Sequence, residues 1–510
     1  MGGRPMTLLV GVPASYRTPS IQEYCDNPLI ESLPDICTES QAASAMLIRP
    51  QFDPRERLFP AEHRWHLLAR LKHIVVPRPK YYFIERTISR LIRAGYVLRN
   101  PLEAETWRRV YGARMRPPES STVTNDSARF FHAESKCTIV GLSGIGKTTA
   151  VDAVLRVYPD QVIRHETYRD HRLPLTQIVW LKVTCPENGS ISSFCREFAR
   201  QLDRTLGVDK YERMYTRSKL TRDELEGMMR QHSATYFLGL LVIDEIQRLD
   251  LAKTHGAAPL LDFFQDLRDL LKVPILLIGT YKAVKLFTGG LKDARRASES
   301  GLIDLERPSS HRDDEWARFV RRLWAYQWVQ HPIPLTDELL HGLFDLTQGV
   351  TDVLVILFKL AQQRAMEAGT EVIDLACMRS TYDEQLTLLH PAINALRENT
   401  YASLSKFEDL LPPNRELIGQ TVPAHADINV EAKIDQLLAH DSAAMPNQQE
   451  MAVNHASRAR KDVSKREALA PSDLRSAATT PDAYQSLRES GVIGDDFLSS
   501  THGSGTDHTQ

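Results

Sequence analysis

The stretch "GLSGIGKTT" at residues 141–149 fits the pattern G-x-x-x-x-G-K-[ST], with Gly141, Gly146, Lys147 and Thr148 at the four fixed positions. Glycines let a backbone wrap phosphate groups closely with its N–H groups turned inward. The whole run of Gly141, Leu142, Ser143, Gly144, Ile145, Gly146, Lys147, Thr148 and Thr149 is therefore the candidate nucleotide-binding loop. In such a loop the lysine neutralises the outer phosphates and the threonine hydroxyl ligates magnesium. The apolar "CTIV" before it predicts a buried strand, and a helical pattern follows it. The phosphates would then sit at a helix N-terminus.

"LLVIDEIQRL" at residues 240–249 supplies the other half of the site. An apolar strand delivers Asp244 to its end, where the carboxylate completes the magnesium shell with Thr148. Glu245 is then placed to polarise an attacking water. "LLIGT" ends the next apolar run, and Thr280 either orients that water or closes a strand turn. In "DARRASE" either Arg295 or Arg296 is positioned to reach a neighbouring subunit's nucleotide, unless the pair is an exposed basic turn. The catalytic candidates are Glu245, Thr280, Arg295 and Arg296, and the implied cofactors are ATP and Mg²⁺.

Outward from the loop, "QIVWLKVTC", "YFLGLLVIDE" and "VPILLIGT" read as further buried strands. They alternate with amphipathic stretches such as "SISSFCREFARQLDRTLG" and "APLLDFFQDLRDLL". That alternation predicts an α/β fold with a parallel sheet covered on both faces. "DDEWARFVRRLWAYQWV" and the patterns after it are helical only. The expected organisation is an extended N-terminal arm (1–54), a basic helical region (55–134) and a nucleotide-binding domain (135–308). A helical lid (309–400), a polar, disordered linker or tail (401–483) and a partner-docking segment (484–510) complete it. In the basic region Ile88, Leu91, Ile92 and Tyr96 share a helix face, with Arg86, Arg90 and Arg93 off it. These arginines form either a solvated face or a polyanion- or partner-binding patch.

With 510 residues the chain is too long for one ordinary domain, and 42% hydrophobic residues suffice for a core. A net charge of -2 supplies no global field toward nucleic acid, so any such contact must be local. The six cysteines form no CxxC pair. No apolar run reaches transmembrane length, and the composition is that of a soluble cytoplasmic protein.

The loop, acidic strand, Thr280 segment and arginine segment, in this order, resemble those of the AAA+ ATPases. In detail the chain resembles the TnsC family, regulators of transposons that carry the TnsA and TnsB transposase. "YCDNPLIESLP", "ERTISRLIRAGYVLRNP", "LKDARRA", "LTQGVTDVLVILFKLAQQRA" and "LRESGVIGDDF" carry that likeness beside the nucleotide motifs. One departure from many AAA+ lids is Asp352, which stands where a G-x-x-R pattern would place an arginine.

The resemblance implies a bacterial, cytoplasmic ATPase that assembles with ATP on duplex DNA as a hexameric or heptameric ring or a filament. It would link a target-selection protein of TnsD or TniQ type to TnsA and TnsB. Lys210, Arg213, Arg217, Lys219 and Arg222 in "KYERMYTRSKLTRDE" would contact DNA phosphates without reading sequence, or else form a solvated charged loop. The apolar island at 484–498 would dock a transposase subunit. A signalling NTPase that switches protein partners without DNA, and an ATP-gated scaffold with negligible turnover, are the competing readings.

Overall fold

Eight strands stand among the described residues of the computed structural model. They are β1 (Val12–Pro13), β2 (Lys136–Gly141), β3 (Val162–Tyr168), β4 (His171–Ile178), β5 (Trp180–Thr184), β6 (Leu240–Asp244), β7 (Ile275–Ile278) and β8 (Leu302–Leu305). The described residues are 10–113, 136–251 except 218, 263–264, 267–269, 271–287, 301–407, 409–410 and 412. All fall in one unit spanning residues 1–437; a second unit, 438–510, lies outside the described residues.

Five strands make a parallel sheet in the order β5-β6-β7-β2-β8. Every residue of β6 and β7 is buried, as a strand covered on both faces requires. The registers Ile139↔Ile278 and Ile243↔Leu277 bring the carboxyl ends of β2, β7 and β6 level. β8 was not among the expected strands. It has four residues and carries Asp304 within it, too short and too mixed to stand out.

The expected strand "QIVWLKVTC" proves to be two. Ile178 ends β4, and β5 begins at Trp180. β4 pairs antiparallel with β3, and β1 of the arm adds to β3 in parallel, giving a separate three-stranded sheet. This hairpin is hidden in sequence because Leu173 and Leu175 flank Pro174, a residue that reads as a strand breaker, and polar residues stand on either side of the three. The helix Ile191–Leu206 buries Phe194, Phe198, Leu202 and Leu206 on one stripe, starts at a Ser190 cap and stops at left-handed Gly207.

The N-terminal arm lies along this core. Two short helices, Pro28–Glu31 and Glu39–Met46, bury Leu29, Ile30 and Met46. The helix Pro79–Val97 buries Ile84, Ile88, Leu91, Ile92 and Tyr96, the face expected for it. Of its neighbouring cations Arg86 and Arg90 are exposed, and others bind the protein itself. Arg93 is buried and donates to Ser89 Oγ and Pro34 O. Arg99 donates to Leu238 O, and Lys80 to Asp304 O. Arg64 is 1% exposed and grips Glu371 of the lid through two 2.7 Å bonds. That grip holds the Glu371 carboxyl below its ordinary range. Buried bidentate pairs of this kind fix geometry more than they add net stability.

Six α-helices follow the sheet among the described residues: Asp314–Trp324, Asp337–Thr347, Thr351–Glu367, Leu375–Gln385, His390–Glu398 and the short Tyr401–Leu404. Asp313, Thr336 and Asp374 cap three of them through side-chain oxygens. Among the described residues no helix is long and apolar enough to cross a membrane.

Glu85, on the helix Pro79–Val97, is 1% exposed and its Oε2 has no hydrogen-bond partner. Burial pushes its carboxyl up from 4.5 to about 7, with Arg93 and Arg86 opposing. The unfolded chain ionises Glu85 from pH 4.5 and the folded chain only near 7, so stability is lost as pH rises through that window. Glu85→Gln should therefore raise stability at pH 8 by on the order of 2 kcal/mol and leave it nearly unchanged at pH 4.5. Denaturant melts at the two pH values check this; an equal effect at both would remove the cause given.

Candidate nucleotide site

The strand order decides where the site lies. β2 sits between β7 and β8, so the loop leaving β2 opens beside the ends of β7 and β6. Such a switch point at the carboxyl edge of a parallel sheet forms a crevice. Here it holds the loop 141–149, Asp244 and Glu245 after β6, and Thr280 after β7.

Gly146 caps the following helix, Lys147–Leu155, with a φ of 96° that favours glycine. At Gly144 (φ 76°) an added Cβ would stand 3.2 Å from Asp352 Cβ and Val350 Cγ1 of the lid. The loop therefore stays thin where the lid closes on it. Lys147 Nζ donates to Gly141 O at 3.0 Å and to Leu142 O at 2.6 Å. Burial pushes its ammonium down to about 8, although Glu245, Asp244, Asp409 and Asp304 pull it up. A triphosphate would supply the negative partner this buried cation needs.

Thr148 Oγ1 donates to Asp244 Oδ2 at 3.1 Å. A hydroxyl and a 5%-exposed carboxylate in contact at the loop's edge are the donor set of a magnesium site. Thr148 and Asp244 would hold that ion. Glu245 turns out of β6 with a left-handed φ of 60°, and its backbone N–H donates to Asp244 Oδ1. Thr280 is buried beside it.

Sequence reasoning missed Gln247. Its Nε2 donates to Glu245 Oε2 at 2.7 Å, and its Oε1 accepts from the Thr280 N–H at 3.1 Å. One amide thus ties Glu245 to the β7 edge. It also missed the wall of the cleft, which measures about 400 Å³. Leu71, Ile74, Val75, Val76 and Tyr81 of the N-terminal region face Phe319 and Val355 of the lid, an apolar pair of walls suited to a flat base. The run "IVVP" ahead of the helix Pro79–Val97 was the available signal. Arg78 lines the same cleft and donates to Thr351 Oγ1 at 2.8 Å. Asp352 meets the loop by its backbone, whose N–H donates to Gly144 O at 3.0 Å, and burial pushes its carboxyl up.

Ser143, Ile145 and Thr149 line the cleft with the rest of the loop. The DNA candidates stand apart from it, around the helices Tyr211–Tyr215 and Arg222–Thr235. Lys210 lies over the Tyr211 ring, Arg213 pairs with Asp209 and Arg222 with Glu226, while Arg217 and Lys219 are exposed. Arg295 and Arg296 lie outside the described residues, as does the island 484–498.

Residues 132–287 match the family model of the AAA domain. No curated protein matches the chain. Similar solved structures include a Walker-type ATPase of Pyrococcus abyssi, at 13% identity and a TM-score of 0.34, covering 59% of this chain and 84% of that one. A Drosophila ORC structure bound to DNA gives 12% identity, 87% and 88% coverage and a TM-score of 0.35. The Thermotoga maritima RuvB Holliday junction branch migration motor gives 12%, 49% and 62% coverage and 0.28.

Replacing Gln247 by Met keeps its length and removes both bonds. Nucleotide turnover should fall about tenfold with nucleotide affinity unchanged, because Glu245 and the Thr280 backbone lose their tie while the phosphate-binding loop keeps all its own bonds. A parallel loss of affinity would make Gln247 a support of the cleft instead. The chain thus carries an AAA-type P-loop NTPase domain within an AAA+ fold.

Proposed function

We propose that the protein is an ATP-dependent regulator of DNA transposition of the TnsC type. ATP with Mg²⁺ drives its assembly into a ring or filament on duplex DNA, and the assembly links a target-selection protein to TnsA and TnsB. The observation that supports this most is the gathering of Lys147, Thr148, Glu245 and Thr280 around one cleft, in a chain whose arm, arginine segment and lid carry the TnsC-like motifs. A regulator needs ATP occupancy to be readable by partners and hydrolysis to end the assembly.

In this reading Lys147 and the loop backbone hold the triphosphate, Thr148 and Asp244 hold the metal, and Glu245 with Thr280 governs the attacking water. Arg295 or Arg296 reaches the neighbouring subunit's site. Arg217 and Lys219 meet phosphates of the duplex, joined by Lys210, Arg213 and Arg222. The segment 484–510 docks a transposase subunit. DNA is held without sequence readout, so its binding is salt-sensitive.

The test combines electron microscopy with a salt titration. Rings or filaments should form only when a slowly hydrolysed ATP analogue and duplex DNA are both present. Changing Arg217 and Lys219 together to Ala should lower the log–log salt slope of DNA binding by about 1.8, two lost phosphate contacts, while sparing ATP binding. Nucleotide-dependent oligomers that ignore duplex DNA would instead favour a signalling NTPase.

A further inference from the structure

The site described so far has one occupant that none of its motifs supplies. Thr280 Oγ1 donates to Asp409 Oδ1 at 2.7 Å, across 129 residues of chain. Asp409 lines the same cleft as Lys147, Thr148 and Glu245, and its charge bears on the Lys147 ammonium. It belongs to the segment that leaves the lid after the helix His390–Glu398.

That segment is anchored on both sides of the contact. A short helix, Tyr401–Leu404, starts at a Thr400 cap, and turns follow from Phe407 N–H to Leu404 O and from Leu410 N–H to Phe407 O, each at 3.0 Å. Leu404, Leu410 and Pro412 face Leu142 and Tyr281 across a cavity of about 260 Å³. Arg307 ties the end of the preceding helix to the core by donating to Leu396 O at 3.0 Å. Asp409 is thus presented to Thr280 by a strap seated on the residue that follows β2 and on the one that follows Thr280.

The chemistry of the contact is exclusive. A threonine hydroxyl carries one hydrogen and donates it once. While it donates to Asp409, it has none for a phosphate oxygen. A carboxylate and a terminal phosphate beside one lysine also repel each other. A nucleoside diphosphate has no third phosphate and meets neither obstacle.

We propose that Asp409 is an intramolecular stand-in for the γ-phosphate at Thr280, which sets the ATP-to-ADP preference of the site and leaves only when a triphosphate binds. Displacement frees the strap around Asp409 and so passes the identity of the nucleotide to the chain beyond it. The inference rests on the nucleotide site, not on transposition, and it gives the site a way to be read from outside.

The experiment uses the full chain with Mg²⁺ and compares a non-hydrolysable ATP analogue with ADP by calorimetry. Asp409→Asn keeps the shape and removes the charge; Asp409→Ala removes both. Both variants should bind the analogue more tightly, the Ala variant by about tenfold, as expected for losing one charge-assisted competitor. ADP affinity should stay within about twofold. In the unaltered protein, amide hydrogen exchange at residues 401–410 should speed up with the analogue and not with ADP. Equal shifts for the two nucleotides, no shift, or exchange indifferent to the third phosphate would each overturn the proposal. Failure of both nucleotides to bind at all would instead remove the site itself.

Discussion

β2 lies between β7 and β8 rather than beside β5, and that order governs the molecule. A parallel sheet places all its strand ends on one edge, and the order decides which ends are neighbours. Here the loop 141–149 opens next to Thr280, with Asp244 and Glu245 one strand further on. The Thr148–Asp244 bond follows from that placement, with no long side chain needed to span the gap. So does the Gln247 bridge, whose amide reaches from the end of β6 to the start of the chain after β7.

The second requirement is a roof over the cleft, and two distant parts of the chain share it. The N-terminal region brings Ile74, Val75, Val76 and Tyr81, and the lid brings Phe319 and Val355. Arg64 and Glu371 lock the two parts together from below solvent reach. Arg78 repeats the link at the cleft itself through Thr351. Two cations of the basic region, Arg64 and Arg78, are thus fastenings of this roof.

What could be read from sequence was what depends on local pattern. Lys147 and Thr148 were legible from the glycine-loop pattern, and Asp244 and Thr280 because each follows an apolar run that announces a buried parallel strand. The helix face of Ile88, Leu91, Ile92 and Tyr96 was legible for the same reason, since 3.6-residue spacing is a local property. The hairpin β3–β4 was not, because its half-exposed alternation reads as polar loop. β8 is too short to show a period. Gln247 and Asp409 carry no motif at all; one is two residues past Glu245, the other 129 residues past Thr280, and only the folded chain brings them to the site. The partners of Arg64, Arg93 and Arg99 were not legible either, because sequence shows a charge and not its partner.

The account stands on a metal-dependent triphosphate site built from the loop and the end of β6. Calorimetry of ATP binding with and without Mg²⁺, in the unaltered protein and in Asp244→Asn, tests it most directly. The account predicts that Mg²⁺ strengthens binding by at least about tenfold in the unaltered protein. The variant should bind ATP alone as before and gain almost nothing from the ion. An undiminished response to Mg²⁺ in Asp244→Asn would contradict the site as described.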